Sequence, residues 1–462
     1  MKFFDTHDSA EVSEDSSEVW RPAYGQHVNP QWVRLLGLLQ MDKNYIRCEG
    51  AELETKDGRC ILDFLSGYCV HNIGHNHAHV IAELQAQLGE RAPAMLQSHV
   101  PDMAGELAAE LCSRAGRQVQ KAFFCSSGSE GIETVIKFAR AHTKRPRLLY
   151  ASGAFHGLTM GALSLMGDSF WKEGFGDFLP GATEIPFADL RELVRQLERG
   201  DVAALILEPI QGEGGIRLSP PYYLREAQDL CHKHGALFVL DEVQTGLYRT
   251  GEFLAAHHYG VEPDMVVLAK ALSGGLVPSG AVLITDAIYN SVYDSLKRAF
   301  IHTSTYSENA LAMRAGLATL EVFDREGLGD RAQESGAYLC EGLRHALEPY
   351  EMVREVRGLG LLCGIEFCSP SSFSLRVSFE AIKRVHPAMF GQMLVMRLYQ
   401  EGMLTQVCGN NFMVLKVAPP LVITKAQMDR FTSAVHDVVD DLHRSRSFWR
   451  DALTLAGRAV RV

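Results

Sequence analysis

The sequence predicts an α/β protein that combines one large, doubly wound and mainly parallel sheet with a smaller α+β domain. Between residues 121 and 284, short apolar runs alternate with helical stretches. This alternation favours parallel strands, because a helical crossover returns the chain to the same end of the sheet. After residue 331 the pattern changes to long helical stretches with fewer strands, which indicates the second domain.

Each element of this fold is predicted from a local pattern. Six apolar runs bounded by turn residues are predicted as strands of the large sheet: Lys121–Cys125, Leu148–Tyr150, Ala203–Leu207, Leu237–Leu240, Met265–Leu268 and Ala281–Ile284. The other predicted elements are a helix from about Gln31, short strands around Lys56-Asp57-Gly58 up to Asp63, helical spacing from Val80 to Leu111, and strands at Val353–Phe367 and Phe412–Val417. The predicted order of parts is a mobile N-terminal arm, a first part of the small domain, the large domain and a second part of the small domain, at residues 1–30, 31–85, 86–330 and 331–462.

Composition narrows the classes of function. A chain of 462 residues exceeds the size of one hydrophobic core, so more than one domain is expected. The net charge of −11 argues against nucleic acid or an anionic membrane as a partner. The ten cysteines lack the paired spacing of a zinc site, and they fit a reducing compartment better than a disulfide framework. Without a long apolar run or a signal-peptide core, the protein is expected in the cytoplasm, with no membrane span and no metal.

Two polar residues stand just beyond neighbouring apolar runs. Asp241 follows Leu237–Leu240 directly, and Lys270 comes two residues after Met265–Leu268. The carboxyl ends of strands in a doubly wound sheet open onto the ligand crevice. A carboxylate and an amine there suit pyridoxal phosphate, with the lysine as Schiff base and the aspartate keeping the ring nitrogen protonated. Taken singly, each residue is more typical of a turn or of a solvated side chain.

Other strand ends carry further candidates. Ser127-Gly128-Ser129 opens a helix after the first strand of the large sheet, where backbone N–H groups can bind phosphate, although serine is also a common helix cap. Phe155-His156 follows the second strand, and its aromatic ring can stack on a flat ligand or fill the core. Two carboxylates, Glu208 and Glu213, follow the third strand; in a buried turn they need partners or a function.

Five segments in this order, CSSGSE, SGAFHG, LEPIQGEGG, LDEVQTGLYRTG and LAKALSGG, resemble those of the class III pyridoxal-phosphate aminotransferases. The chain is most similar to the ornithine and putrescine aminotransferases of that family, from about Leu62 to Leu421. The resemblance implies the fold type I architecture, pyridoxal 5′-phosphate as cofactor and transamination as the reaction. It also implies a homodimer with shared active sites.

The resemblance implies a role for each matching residue. Lys270 would bond to the cofactor and move the substrate proton, while Asp241 would pair with the ring nitrogen. The remaining cofactor contacts would come from Ser127, Gly128, Ser129, Phe155, His156, Glu208 and Gln244. Thr305 would reach the phosphate of the other subunit. Tyr68 is a candidate on the substrate side.

The chain departs from the family at the substrate end. Ornithine-type members bind the substrate α-carboxylate with an arginine in the strand before a Pro-Pro pair, and here that position is Lys416. Lysine lacks the planar fork that grips a carboxylate, although it can act as a point charge. Glu213, the partner of that arginine in the family, is present and can pair with Lys416. Two further departures are Ser307-Glu308 in place of a Gly-Gly pair and an apolar segment at 369–390, which can cover a substrate or serve packing.

These observations predict a transaminase that moves an amino group from a terminal amine, either a diamine or a long-chain ω-amine, to a 2-oxo acid by a ping-pong mechanism. An enzyme of the ornithine or acetylornithine type is the alternative. A second alternative is an aminomutase, racemase or decarboxylase of the same fold. A nicotinamide dehydrogenase is disfavoured, because no GxGxxG motif follows a strand.

Overall fold

The computed structural model describes residues 20–96, 98–444 and 448–451. Residues 1–19 of the predicted mobile arm lie outside these ranges, and the rest of that arm begins with a helix. The α-helices of the described chain are α1 Trp20–His27, α2 Pro30–Leu38, α3 Ser66–Cys69, α4 Ala78–Glu90, α5 Asp102–Ala115, α6 Gly128–Thr143, α7 Met160–Ser164, α8 Leu190–Leu197, α9 Tyr223–Lys233, α10 Ala256–Tyr259, α11 Asp286–Val292, α12 Ala310–Arg325, α13 Leu328–Leu347, α14 Phe373–Val385, α15 Met389–Gln400 and α16 Lys425–Arg444. Short 3₁₀ helices lie at Ser169–Lys172, Lys270–Ser273 and Leu296–Arg298.

The strands of the described chain form one large sheet and smaller ones. They are β1 Tyr45–Glu49, β2 Glu52–Thr55, β3 Cys60–Asp63, β4 Lys121–Cys125, β5 Arg147–Ala151, β6 Ala182–Ile185, β7 Val202–Leu207, β8 Ile210–Gln211, β9 Arg217–Leu218, β10 Leu237–Asp241, β11 Met265–Leu268, β12 Gly280–Ile284, β13 Val353–Leu359, β14 Leu362–Phe367, β15 Met403–Leu404, β16 Gln406–Cys408 and β17 Asn411–Val417.

The large sheet has the order β4-β12-β11-β10-β7-β5-β6 within the described chain. Its pairs are parallel except those of β12, which runs antiparallel to both neighbours. The predicted mainly parallel α/β fold is confirmed, and each of the six predicted strands is present. Strand β6 is additional: only Ile185 is buried in it, so the sequence there has no apolar run to detect.

The large sheet is buried on both faces. Alternate residues of one strand enter two separate hydrophobic clusters; in β10, for example, Leu237 and Val239 enter one cluster, and Phe238 and Leu240 the other. Helix α6 covers the first of these faces with side chains such as Ile132 and Phe138. A strand covered on both sides reads as a continuous apolar run, which is why the sequence predicts these strands well.

Two smaller four-stranded sheets of the described chain bring distant segments together. Strand β3 pairs in parallel with β15, so residues near position 62 join residues near 403. The other sheet has the order β13-β14-β17-β16, and it places Lys416 of β17 opposite Gly364 and Gln406. The boundaries at residues 30, 85 and 330 stay predictions.

The cysteines differ in part from the expectation of free thiols. Cys340 on α13 and Cys363 on β14 form a disulfide, whereas the other eight cysteines of the described chain are free. The pair is 23 residues apart and becomes adjacent only through packing of α13 on the small sheet, so the sequence spacing does not reveal it. A single bridge is still not a disulfide framework.

Within the described ranges, none of the helices has the length and apolar character needed to cross a membrane.

Candidate active site

Asp241 and Lys270 meet at one edge of the large sheet. Strands β10 and β11 are parallel neighbours, and Asp241 lies opposite Val267, three residues before Lys270. Lys270 begins the 3₁₀ helix that follows β11 and has a φ of 48°, in the left-handed region that side chains other than glycine rarely adopt. Such strain persists only where the surroundings hold it, and it is common at functional positions. Burial lowers the pKa of the Lys270 amine, which favours the neutral form that a nucleophile needs.

Asp241 is buried and held by two donors. Its Oδ2 lies 2.8 Å from Nδ1 of His156, and its Oδ1 accepts the backbone N–H of Val243 at 3.0 Å. Although burial disfavours an imidazolium, the hydrogen bond and charge of Asp241 raise the pKa of His156 above its ordinary value. Nε2 of His156 is buried and has no hydrogen-bond partner in the described part of the chain. His156 therefore orients Asp241 and leaves one ring nitrogen for a ligand.

The N-terminus of α6 opens at the same edge. Ser127 caps this helix, because its hydroxyl oxygen accepts the N–H of Glu130 at 3.2 Å while Glu130 accepts the N–H of Ser126 at 2.7 Å. Ser129 accepts the N–H of Leu158 at 3.2 Å. The loop can approach so closely because residue 157 is glycine: a Cβ there would lie 2.1 Å from the Ser129 hydroxyl oxygen. The result is a helix N-terminus suited to an anion.

These groups surround a cavity of about 530 Å³. The predicted residues that line it are Ser127, Gly128, Ser129, Phe155, His156, Glu208, Glu213, Asp241, Gln244 and Lys270. Sequence reasoning missed Val243 and the segment 275–279, which also line the cavity. Val243 lies in the turn that follows β10, between the two predicted site residues Asp241 and Gln244, and this position is the signal that could have found it. The segment 275–279 carries no comparable signal.

Glu208 connects two turns at the rim of this cavity. Its Oε1 accepts the N–H of Phe155 at 3.0 Å, and its Oε2 accepts the N–H of Gly212 at 3.1 Å. Burial raises the pKa of Glu208 to about 7, against the opposing effect of nearby His156. This carboxylate therefore fixes the position of Phe155 at the cavity.

Lys416 and Glu213 form a buried ion pair next to the cavity. Nζ of Lys416 contacts Oε1 of Glu213, and the side chain of Lys416 is fully buried. Oε2 of Glu213 accepts the N–H of Gly409 at 2.8 Å. Despite burial, the charge of Lys416 holds the pKa of Glu213 at about 2, and Glu213 in turn raises the pKa of Lys416. Both groups are therefore charged and matched to each other.

A second cavity of about 650 Å³ adjoins the first and shares Phe155, Glu213 and Lys270 with it. We call it the apolar chamber, because most of its lining is aliphatic or aromatic: Leu35, Leu38, Leu39, Tyr68, Phe155, Phe170, Trp171, Ala388, Met389, Val407 and Phe412. Tyr68 lines this chamber, and Nζ of Lys416 lies 5.1 Å from the centre of its ring. Thr305 is exposed and lines neither cavity.

The family model described as Aminotransferase class-III matches residues 39–439. The chain belongs to the class-III aminotransferases. It is 35% identical over 451 residues to aminotransferase PigE of a Serratia species, a match that covers 91% of this chain and 53% of that protein. It is 36% identical over 396 residues to the putrescine aminotransferase of Pectobacterium atrosepticum, covering 84% and 80% of the two chains. This class-III chain therefore spans about half the length of its Serratia relative.

Solved structures of class-III enzymes agree with this membership. The ornithine aminotransferase of Toxoplasma gondii, in a structure with pyridoxal phosphate at partial occupancy, has a TM-score of 0.79 at 28% identity, covering 93% of this chain and 99% of that one. The acetylornithine aminotransferase of Elizabethkingia anophelis has a TM-score of 0.70 at 28% identity, covering 86% and 94%. The predicted family, fold, enzyme class and cofactor are confirmed.

Pyridoxal phosphate, the cofactor of class-III aminotransferases, fits the residues around Lys270. Two buried polar atoms at the cavity, Oε1 of Gln244 and Nε2 of His156, have no hydrogen-bond partner among the described residues. Buried polar atoms are normally hydrogen-bonded, so both could bind polar atoms of a ligand. The N-terminus of α6 suits a phosphate, and Asp241 suits a protonated ring nitrogen. The volume of about 530 Å³ is within the usual range for a small-molecule site.

Proposed function

We propose that this class-III aminotransferase takes its amino group from a terminal amine that lacks an α-carboxylate and passes it to a 2-oxo acid. The observation that carries the proposal is the buried ion pair of Lys416 and Glu213. It stands where ornithine-type enzymes keep an arginine for the substrate α-carboxylate. Lysine lacks the planar fork with which an arginine binds such a group, so a donor with an α-carboxylate gains less at this position.

The cavity residues divide the chemistry among them. When bound, pyridoxal phosphate acts as an electron sink that makes the substrate Cα–H bond acidic. Lys270, whose pKa is lowered by burial, accepts that proton and returns it to the product side. Asp241, oriented by His156, stabilises positive charge at the ring nitrogen. Phe155 and Val243 would enclose the ring, and Gln244 would contact its phenolic oxygen.

The phosphate would be held by Ser127, Gly128 and Ser129 at the start of α6. Thr305 would complete the phosphate site of a second subunit, so the functional unit is a homodimer. This assembly is supported by the position of Thr305, which is exposed and outside the cavity of its own chain, and by exposed apolar residues beside it, such as Phe300 and Tyr306. The eight free cysteines support a cytoplasmic location.

The two half-reactions share one site, so ping-pong kinetics follow: parallel lines are expected in double-reciprocal plots when the donor is varied at several acceptor concentrations. An aminomutase, racemase or decarboxylase would turn over without an added 2-oxo acid, which distinguishes these alternatives directly.

A donor screen tests the proposal. Purified holoenzyme is mixed with ornithine, α-amino acids, putrescine and straight-chain alkylamines, and the loss of the cofactor's visible absorbance is followed in the absence of acceptor. We expect alkylamines and diamines to react faster than α-amino acids. A clear preference for α-amino acids would mean that Lys416 binds a carboxylate as a point charge after leaving Glu213, and the proposal would be wrong.

A further inference from the structure

The apolar chamber has charge at one end only. Its charged lining residues in the described chain, Lys270 and Glu213, are the two that it shares with the cofactor cavity. Away from this end the walls are Leu35 and Leu38 of α2, Met389 of α15 and Phe412 of β17. The chamber thus begins at the reacting amine and continues along aliphatic and aromatic surface.

The polar groups on the chamber walls are largely committed to the protein. Nε2 of Gln392 donates to Oε1 of Gln406 at 3.2 Å, and the same oxygen accepts the N–H of Val407 at 2.9 Å. Burial lowers the pKa of His386, so its imidazole is neutral near neutral pH. One acceptor, Oε1 of Gln392, is buried without a partner among the described residues. These polar groups therefore offer no charge to a second ammonium group, which would lose its hydration against the chamber walls.

Helix α2 closes one side of the chamber with little support from the rest of the chain. Asn29 caps it by accepting the N–H of Trp32 at 3.0 Å, and Pro30 begins it, so its start is set by sequence. None of its residues is buried, although Leu35 and Leu38 turn towards the core. A ligand in the chamber would cover these leucines and add apolar contact that the chain alone does not provide.

Trp171, another residue of the chamber wall, is held in place by hydrogen bonds. Its indole N–H donates to Oδ1 of Asn410 at 2.8 Å, and Nδ2 of Asn410 donates to the carbonyl oxygens of Gly153 and Ala154 at 3.1 and 3.2 Å. The ring of Trp171 also lies 5.5 Å, edge to face, from that of Phe155. The wall therefore starts beside the residue expected to stack on the cofactor.

We infer that the chamber binds the unbranched aliphatic tail of a monoamine substrate, so that the enzyme prefers long-chain alkyl monoamines, and the matching aldehydes in reverse, over diamines. This inference rests on the proposed function and chooses between the two kinds of terminal amine that it allows. A volume of about 650 Å³ accommodates a small-molecule substrate rather than a peptide segment. The continuity with Lys270 makes the occupant part of the reacting molecule.

The test compares kcat/KM for butylamine, hexylamine, octylamine and decylamine with that for diamines of the same carbon number, using holoenzyme and one fixed 2-oxo acid. Burying a methylene group contributes enough to raise kcat/KM roughly three- to fourfold per added carbon until the chamber is full. Each diamine should be at least roughly tenfold poorer than its monoamine, because its distal charge is desolvated. A flat response to chain length, or a preference for diamines, would overturn the inference.

Two matched variants test whether the dependence of kcat/KM on chain length arises in the chamber. Leu38→Gln should lower kcat/KM for octylamine about tenfold and change that for butylamine little. Leu36→Gln, on the same helix but outside the chamber lining, should leave both unchanged. If diamines are preferred and Gln392→Leu removes that preference, then Oε1 of Gln392 binds the distal ammonium group, and the inference is wrong.

A non-reactive alcohol measures binding to the chamber independently of the transamination reaction. Octanol should bind the holoenzyme more tightly than butanol by calorimetry, and Leu38→Gln should weaken the binding of octanol. If octanol binds in this way but no amine reacts, the proposed function fails while the chamber keeps its tail-binding role. If amines of every length react equally and octanol does not bind, the tail-binding role fails while the proposed function stands.

Discussion

Breaking the ion pair of Lys416 and Glu213 should cost stability in a way that depends on pH. In Lys416→Met the carboxylate of Glu213 stays buried without its cation, and this loss is far more costly than the loss of a surface pair. The pKa of Glu213 is about 2, against an ordinary value of 4.5, which corresponds to about 3 kcal/mol of stability. The side chains are 0% and 12% exposed, so solvent screening reduces this value little.

The sign of the pH dependence follows from the direction of that shift. A carboxyl whose pKa is lowered by folding adds stability above its ordinary pKa, and this stability is lost as the pH falls from 4.5 towards about 2. In Lys416→Met the largest influence opposing burial is lost, so the pKa of Glu213 rises, although the N–H of Gly409 and the charge of Lys270 still lower it. The variant should therefore be weakest relative to the native enzyme near neutral pH, and the difference should shrink in acid.

The assay is a double-mutant cycle with Lys416→Met, Glu213→Gln and the double variant, measured by chemical denaturation of the apoenzyme so that cofactor binding does not contribute. We expect a coupling energy of about 3 kcal/mol near neutral pH and a double variant more stable than Lys416→Met alone. A coupling energy below about 0.5 kcal/mol, the usual error of additivity, would refute the reasoning. So would a loss of stability that does not change with pH.

Four further predictions concern Lys270, Asp241 and Thr305. Lys270→Ala should abolish turnover and covalent attachment of the cofactor, as shown by peptide mapping after borohydride reduction, whereas the exposed-lysine control Lys233→Ala should keep both. Because burial lowers the pKa of Lys270, attachment of the cofactor to apoenzyme should accelerate with pH and level off below the ordinary lysine pKa of about 10.4; a rise that continues to that value would contradict it. Asp241→Asn should lower kcat on the order of a hundredfold with a smaller change in KM, since a preorganised charge is lost, and an unchanged kcat in steady-state assays would exclude this role for the carboxylate. Thr305→Ala should weaken cofactor retention in dialysis, and mixing it with Lys270→Ala should reveal shared sites through partial recovery of activity in mixed dimers; no change in retention would remove Thr305 from the phosphate site.

The sequence is most informative about residues whose position is set by the topology of the large sheet. Asp241 and Lys270 were predicted to meet because both follow apolar runs, and parallel strands bring their carboxyl ends to one edge. Ser127-Gly128-Ser129 was predicted in the same way from its position after a strand. Strand β6 was missed because its side chains are mostly only half-buried.

The sequence is least informative about features that form only when distant segments pack together. The apolar chamber is built from α2, the 3₁₀ helix with Trp171, α15 and β17, segments with no common local pattern. The sequence leaves two roles open for the segment 369–390, packing and substrate contact. Phe379 and Phe390 are buried in the core, while Met389 lines the chamber, so contact with a substrate stays a prediction. The bridge between Cys340 and Cys363 depends equally on how α13 meets β14.

Lys416 and the apolar chamber lead to the same conclusion from opposite ends of the substrate. An α-amino acid donor needs a cation beside its reacting carbon, and here the candidate cation is fully buried and paired with Glu213. A diamine needs an anion or several acceptors at its distal end, and the described walls of the chamber offer aliphatic and aromatic surface with one buried acceptor, Oε1 of Gln392. A monoamine with an aliphatic tail needs neither, because its amine meets Lys270 and the tail gains from leaving water. The exchange of arginine for lysine thus weakens carboxylate binding, which disfavours an α-amino acid donor relative to a monoamine whose tail fits the chamber.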